Sequence, residues 1–267
     1  MKFNFDHDLH FHSTPSVCCK DENQTPEAAL SYAEKEGLST ICLTNHFWDD
    51  AIHTQAESYK IQNLANIMKG KNLPQKEGIR FLFGCETDLN RDLVLGITKE
   101  KMDLFDFIVV PTTHFHMDTN VAPEEKNTPE KCAETWLKRL DAVLNMDLPF
   151  HKVGIAHLSC RLIAKGNNQM RLDALRAIPE DKMRALFKKA AALGCGIELN
   201  RRDMTYLPEE ENIILRPFRI AKEEGCKFYL ASDSHTVKGF TLARAAFENA
   251  IEKLGLTEND KFLLSSL

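Results

Sequence analysis

Two His-x-His pairs, His10/His12 and His114/His116, stand in this 267-residue chain. Residues two apart on a strand point the same way, so each pair aims two imidazoles at one place. Joined by carboxylates, such donors bind divalent metal ions. With ten histidines in the chain, one such pair is near chance frequency, so the weight rests on where the other donors fall. His10 and His12 end the first apolar run, His46 the second (STICLTNH), Glu86 the third (IRFLFGCET) and His114 the fourth (DFIVVPTTH). His157 ends the fifth (KVGIAHL), and Asp233 with His235 the seventh (KFYLASDSH). Imidazoles and carboxylates inside otherwise apolar segments are costly unless paired or metal-bound. Six histidines, a glutamate and an aspartate on six strand ends predict one metal centre.

Elements of a particular kind must gather those ends. Strand-like runs at 3–12, 39–46, 79–87, 106–114, 152–158, 196–200 and 227–235 alternate with helical stretches. The helices are expected at 27–36, in the polar segment to about residue 69, from 129 to about 144, and at 179–193, 209–224 and 240–254. Thr25-Pro26 and Thr128-Pro129 have the cap-plus-proline form of helix starts, and Gly37, Gly194 and Gly225 are natural stops. Seven βα units over this length predict a βα barrel, with an open doubly wound sheet as the alternative. In either fold the C-terminal ends of parallel strands share one face, where active sites are built. No linker, low-complexity tract or solenoid repeat interrupts the pattern, so residues 1–267 are expected to form a single domain.

Composition narrows the function classes. Hydrophobic residues make up 43% and charged residues 27%, which excludes a disordered or fibrous chain. The apolar runs are strand-sized, too short to cross a bilayer. MKFNFDHDLHFH lacks the marks of a secretory signal, so a cytoplasmic protein with no membrane partner is expected. A net charge of −5 without a basic block disfavours nucleic acid. Eight cysteines without a CxxC pair read as reduced thiols.

The segments DLHFHS (8–13), LTNH (43–46), GCE (84–86), GIAH (154–157), IELN (197–200) and SDSH (232–235), with the strand ending in His114, resemble in order the motifs of the PHP (polymerase and histidinol phosphatase) family. The resemblance covers nearly the whole chain and is nearest the stand-alone histidinol-phosphatase-like branch. It implies a distorted (β/α)7 barrel, an α/β fold, holding two or three divalent metals (zinc, manganese or iron). One metal would take His10, His12, Glu86 and Asp233. A second would take Glu86, His114 and His157, with Glu86 bridging. A third would take His46 and His235 with a residue from the loop after the first strand. There the family usually has His or Asp, and this chain has Val17 and Cys18. Cys18 is the candidate, with Cys19 and Asp21 as substitutes, and an empty third site is the alternative. Asn45 also replaces the Asp often found before the matching histidine.

Two close cations lower the pKa of a bridging water and neutralise phosphoryl oxygens. The expected reaction is hydrolysis of a small phosphate monoester by metal-bridged hydroxide attacking phosphorus in line. Glu86, Asp233 and His116 are the catalytic candidates, with His116 near the leaving oxygen. Arg161 and Arg202 are the candidates for gripping phosphate. Phe47 and Trp48 either wall the substrate mouth or fill the core, and His7, His53 and His151 are read as structural. A phosphodiesterase or nuclease of the same fold, or a metal-stabilised binding domain without catalysis, are the competing functions.

Overall fold

The computed structural model of the protein describes residues 1–264. Its strand segments are β1 (His7–Phe11), β2 (Thr40–Leu43), β3 (Arg80–Phe83), β4 (Cys85–Glu86), β5 (Ile108–Pro111), β6 (Val153–Ala156), β7 (Gly196–Asn200) and β8 (Lys227–Ala231). They pair in parallel as β1-β2-β3 and β4-β5-β6-β7-β8. Backbone hydrogen bonds join the two sheets. Gly84 N and Glu86 N donate to Leu43 O (2.8 Å) and Asn45 O (3.1 Å) on one side. Cys85 N and Thr87 N donate to Phe107 O (3.0 Å) and Val109 O (2.9 Å) on the other. β3 and β4 are thus two halves of one strand, bent at Gly84, where a Cβ would meet Phe107 O at 2.5 Å. The expected seven strands are present.

The ring closes between β1 and β8. Asp233 N donates to His10 O (2.7 Å) and His12 N to Ser234 O (2.9 Å). Lower down, side chains replace the backbone ladder: the His7 ring accepts from Leu230 N (3.0 Å) and Asp8 Oδ1 from Ser232 N (2.9 Å). The expected structural role of His7 is this contact. A register shift lies between Asp8 and Phe11 against β2. Such a bulge re-aims side chains, and here Leu9 joins the barrel interior while Phe11 packs in the outer layer.

Alternation along each strand sorts the rest. Ile108, Val110, Ile155, Ile197, Leu199, Phe228 and Leu230 pack outward under the helices. Cys42, Leu82, Phe107, Val109, Ala156, Tyr229 and Ala231 pack inward with Leu9 and Phe262 as a separate cluster. Phe107 and Tyr229 meet edge to face at 5.1 Å. They fit because β6 carries Gly154, whose Cβ would fall 2.5 Å from both the Phe107 ring and the Tyr229 hydroxyl oxygen.

The covering helices are α1 (Pro26–Glu36), α2 (Glu57–Lys60), α3 (Leu64–Ile67), α4 (Lys99–Met102), α5 (Pro129–Leu144), α6 (Asn168–Ala177), α7 (Glu180–Leu193), α8 (Glu211–Glu223), α9 (Val237–Thr241) and α10 (Ala243–Leu254). Thr25 and Thr128 accept from Ala28 N and Lys131 N as expected of caps. The sequence reading differs in four places. The single helix expected before residue 69 is the pair of one-turn helices α2 and α3, and the one expected at 240–254 is divided into α9 and α10. The short α4, and α6, started by the Asn167 side chain accepting from Met170 N, were not expected. No helix among the described residues is long and apolar enough to cross a membrane.

Gly154→Ala should overpack the barrel interior at a cost of about 1–3 kcal/mol, read as a lower midpoint of thermal unfolding. An unchanged midpoint would show that the Phe107 and Tyr229 rings are not confined as described.

Candidate metal centre

Each candidate donor lies at or just past the C-terminal end of a strand, so the barrel brings all of them to one mouth. Two sit in strained backbone. His157 has φ 64° and Asp233 φ 46°, a left-handed conformation costing of order 1–3 kcal/mol for residues other than glycine. Specific bonds hold them there: His157 N donates to Glu198 Oε2 (2.9 Å) and Asp233 N to His10 O (2.7 Å). The strain turns both side chains back over the barrel axis.

Glu86, 1% exposed, is the centre of the cluster. Its Oε2 lies 3.2 Å from His12 Nε2, 3.2 Å from His46 Nδ1 and 3.5 Å from His10 Nε2. Its Oε1 lies 3.4 Å from His157 Nε2 and 4.0 Å from His114 Nε2. Asp233 Oδ1 stands 3.4 Å from His12 Nε2 and 3.7 Å from His10 Nε2. Ligands at about 2.0–2.1 Å from a tetrahedral cation are separated by roughly 3.4 Å, so these are spacings of atoms arranged around shared centres. Glu86 Oε1 and His46 Nδ1 are buried without a hydrogen-bond partner among the described residues, a costly arrangement that a cation relieves. The donors fit divalent metals.

Three-donor groups with all ligand atoms within 4.8 Å of one another are His10/His12/Glu86, Glu86/His114/His157, His12/Cys18/His235 and His10/His157/Glu198. The first two match the sets expected from sequence, with Asp233 beside the first. The third differs: Cys18 and His235 gather with His12, while His46 is directed at Glu86 and, at 4.0 Å, Asp88. Neither substitute considered for Cys18 faces the cluster. Cys19 Sγ donates to the His235 carbonyl (3.3 Å), and the partly exposed Asp21 accepts from Asn23 N and Val237 N.

Behind the imidazoles stand carboxylates that sequence reasoning did not single out. Glu198 Oε1 lies 2.6 Å from His10 Nδ1, and Asp88 Oδ1 2.8 Å from His114 Nδ1. Each fixes the ring so that Nε2 faces the cluster. The signal was a carboxylate inside an apolar strand segment, in register with Asn200 and with Glu86 respectively. Ser16 does the same for His12. Its hydroxyl donates to Asn45 Oδ1 (2.9 Å), so it accepts from His12 Nδ1 (3.2 Å). On α5 the buried Arg139 donates to the carbonyls of Leu89, Asn90, Thr112 and Asn120, tying together the loops that bear Asp88 and His114.

Burial raises the Glu86 carboxyl, but His46 and His10 outweigh it and hold the group well below the usual range. Burial likewise opposes ionisation of Asp233, and His235, His12 and His10 hold it well below normal. His10 and His157 are lowered by burial yet lifted by facing carboxylates, His10 well above its ordinary value and His157 to about 10. His46 and His116 are pushed down to about 4, and His235 to about 3, by burial first and by neighbouring imidazoles second.

A cavity of about 380 Å³ opens over the donors, walled by Val17, Ser58, Tyr59, Gln62, His116, Met117, Leu162 and Arg202. Arg202 reaches within 3.3 Å of His235 Nδ1. Arg161 lies elsewhere, lining a separate cavity with Arg171 and Glu210. It starts a short 3-10 turn that brings Leu162 rather than Arg161 to the metal side. Phe47 and Trp48 are buried. Trp48 stacks on Tyr59 at 4.8 Å, so it braces the cavity wall from behind.

A PHP domain model matches residues 8–202. No curated protein matches the chain by sequence. Among solved structures, the histidinol phosphate phosphatase of Lactococcus lactis subsp. lactis Il1403, complexed with zinc, L-histidinol and phosphate, superposes with TM-score 0.67 at 20% identity, covering 97% of this chain and 98% of that one. The putative histidinol phosphatase of Listeria monocytogenes superposes with TM-score 0.63 at 16% identity, over 87% of this chain and 96% of that one.

Two outcomes are expected. Glu198→Gln should weaken divalent-metal affinity by about 10–100-fold, measured by titration, and unchanged affinity would remove the orienting role. Because His157 is raised to about 10, it holds a proton near neutrality that a cation must displace. Cobalt(II) uptake should therefore release protons, and affinity should climb as pH rises towards that value. Calorimetry in buffers of different ionisation enthalpy reads this directly, and no net proton release would contradict it.

Proposed function

The chain belongs to the PHP domain family, and from that premise we propose that it is a metal-dependent phosphomonoester hydrolase of the histidinol-phosphatase type. The observation that carries the reading is the Glu86 carboxylate, its two oxygens approached by nitrogens of five histidines at ligand-to-ligand spacing. His10, His12, Glu86 and Asp233 would hold one cation, and Glu86, His114 and His157 another. When bound, such a pair activates a water for in-line attack on phosphorus and offsets the charge of the phosphoryl oxygens.

The other residues bind and orient. Arg202, on the cavity wall beside His235, supplies a guanidinium to the phosphate, a geometry suited to two-point contact. His116 packs edge-on against His114 with ring centroids 5.5 Å apart and lines the same cavity, which supports a role for it towards the leaving group. Arg161 lines the neighbouring cavity, so the phosphate grip rests on Arg202. Tyr59, Met117 and Leu162 give the leaving group an apolar wall that limits its size and excludes water. Histidinol phosphate heads the candidate substrates because the Lactococcus protein was solved with L-histidinol and phosphate.

The test is a substrate panel on metal-loaded protein: histidinol phosphate, p-nitrophenyl phosphate, bis(p-nitrophenyl) phosphate and single-stranded DNA. Monoesters should be hydrolysed in preference to the diester and DNA. Glu86→Gln should lower both metal content and kcat/KM, the latter by more than about 100-fold. Preference for the diester or DNA would favour a phosphodiesterase. Metal binding that raises the melting temperature without turnover of any ester would favour a binding domain.

A further inference from the structure

Of eight cysteines, Cys18 is the one that is exposed, and the other seven are buried free thiols. It also lines the cavity over the metal donors, and its Sγ gathers within 4.8 Å of ligand atoms of His12 and His235. The short loop that carries it is fixed from both sides. Val17 N donates to Gln62 Oε1 (3.1 Å). Cys19 N donates to Ser16 O (3.0 Å), and the Cys19 thiol donates to the carbonyl of His235 (3.3 Å). Ser16 in turn is held by Asn45 and by the backbone N–H of His46. The thiol is therefore placed by a network that includes the residue it faces, and not by its own flexibility. Opposite it, His235 Nδ1 is occupied by the Asp233 carbonyl at 2.9 Å, which leaves Nε2 free for a cation.

We propose that Cys18 is a metal-ligating thiolate which, with His235 and His12, forms a cation position of its own at the mouth of the cluster, selective for thiophilic ions such as zinc, cobalt(II) or iron(II) over magnesium. A thiolate is the one soft donor in a centre otherwise built from imidazoles and carboxylates, and soft donors select in that order. An imidazole nitrogen serves one cation at a time and His12 Nδ1 is held by Ser16, so His12 Nε2 serves either this position or the His10/Glu86 position. Cys18 and His235 are the donors that the mouth position has to itself. The inference rests on the metal-dependent reading above but makes a separate claim: which atom completes the outermost site.

Cobalt(II) reports the ligand without any assay of activity, because cobalt bound by thiolate shows a near-ultraviolet charge-transfer band that cobalt bound by nitrogen and oxygen alone lacks. The full chain, titrated with cobalt(II), should show that band. Cys18→Ser, a small change at an exposed side chain, should lose the band and the ion that gives rise to it while keeping the weaker visible bands of the inner positions. Cys19→Ser should retain it. In parallel, zinc but not magnesium should protect Cys18 from iodoacetamide, read by peptide mass spectrometry. Visible bands without the charge-transfer band in the unsubstituted protein, a band that survives Cys18→Ser, or alkylation that ignores zinc would each overturn the assignment and leave the inner metal positions standing. A chain that binds no cobalt at all would instead overturn the metal-dependent reading, and this proposal with it.

Discussion

Glu86 sits almost out of contact with water while nitrogens of five histidines, from four strand ends, approach its two oxygens. A carboxylate so placed costs several kcal/mol unless opposite charge surrounds it. That requirement explains much of the remaining architecture. Glu86 and Glu198 lift His10 and His157 above their ordinary values against the opposing effect of burial. Protons held there have to leave before a cation can enter. The centre is thus balanced between two ways of compensating one buried carboxylate, by protons or by metal. The left-handed backbone at His157 gives this carboxylate one of its partners, and that at Asp233 brings a second carboxylate to His10 and His12.

The barrel separates two incompatible kinds of interior. Below, Phe107, Tyr229 and Phe262 fill the strand ring with aromatic carbon, leaving no room for water. Above, buried polar positions on the neighbouring strands β4 and β7 are Glu86, Glu198 and Asn200. A continuous polar interior would hydrate and loosen, and a wholly apolar one would offer no ligands. Stacking the two tiers lets a rigid dry floor support a polar site, and the floor holds donors to the spacing that coordination demands.

Much of this was legible in the residues. Strand ends fall where apolar runs meet His, Glu or Asp, and the period of two tells which of them share a face. On that basis one shared cluster of donors and the seven-stranded ring followed directly, while the division of that cluster into sets came only from the resemblance to the PHP family. What the pattern did not carry was anything set by the path of a loop. Cys18 meets His12 because the segment after β1 folds back onto β8. Arg161 leaves the metal cavity because a 3-10 turn rotates it away. Strand periodicity reaches neither. Glu198 and Asp88 were obscured for a different reason: a carboxylate that braces an imidazole from behind looks, in sequence, like a ligand or a surface charge. The bulge in β1 and the substitution of His7 and Asp8 side chains for missing ladder bonds are likewise tertiary facts. α6 was missed because its cap, Asn167, lies in a polar stretch that reads as loop.

Closure of the ring ties residues far apart in the chain. Leu230 N bonds the ring of His7 across 223 positions, and Ser232 N bonds Asp8 across 224. His10 and His12 on one side of that seam, and Asp233 and His235 on the other, belong to the same site. During synthesis the first strand is made early, yet its partner along the seam arrives only after the other strands have been made. The donors of β1 therefore wait, paired on the β2 side alone, with an open edge exposed to other chains. Contacts of such sequence separation are slow to form. Assembly of the metal centre and completion of the barrel are the same late event, so a nascent chain cannot own a finished site on an unfinished fold.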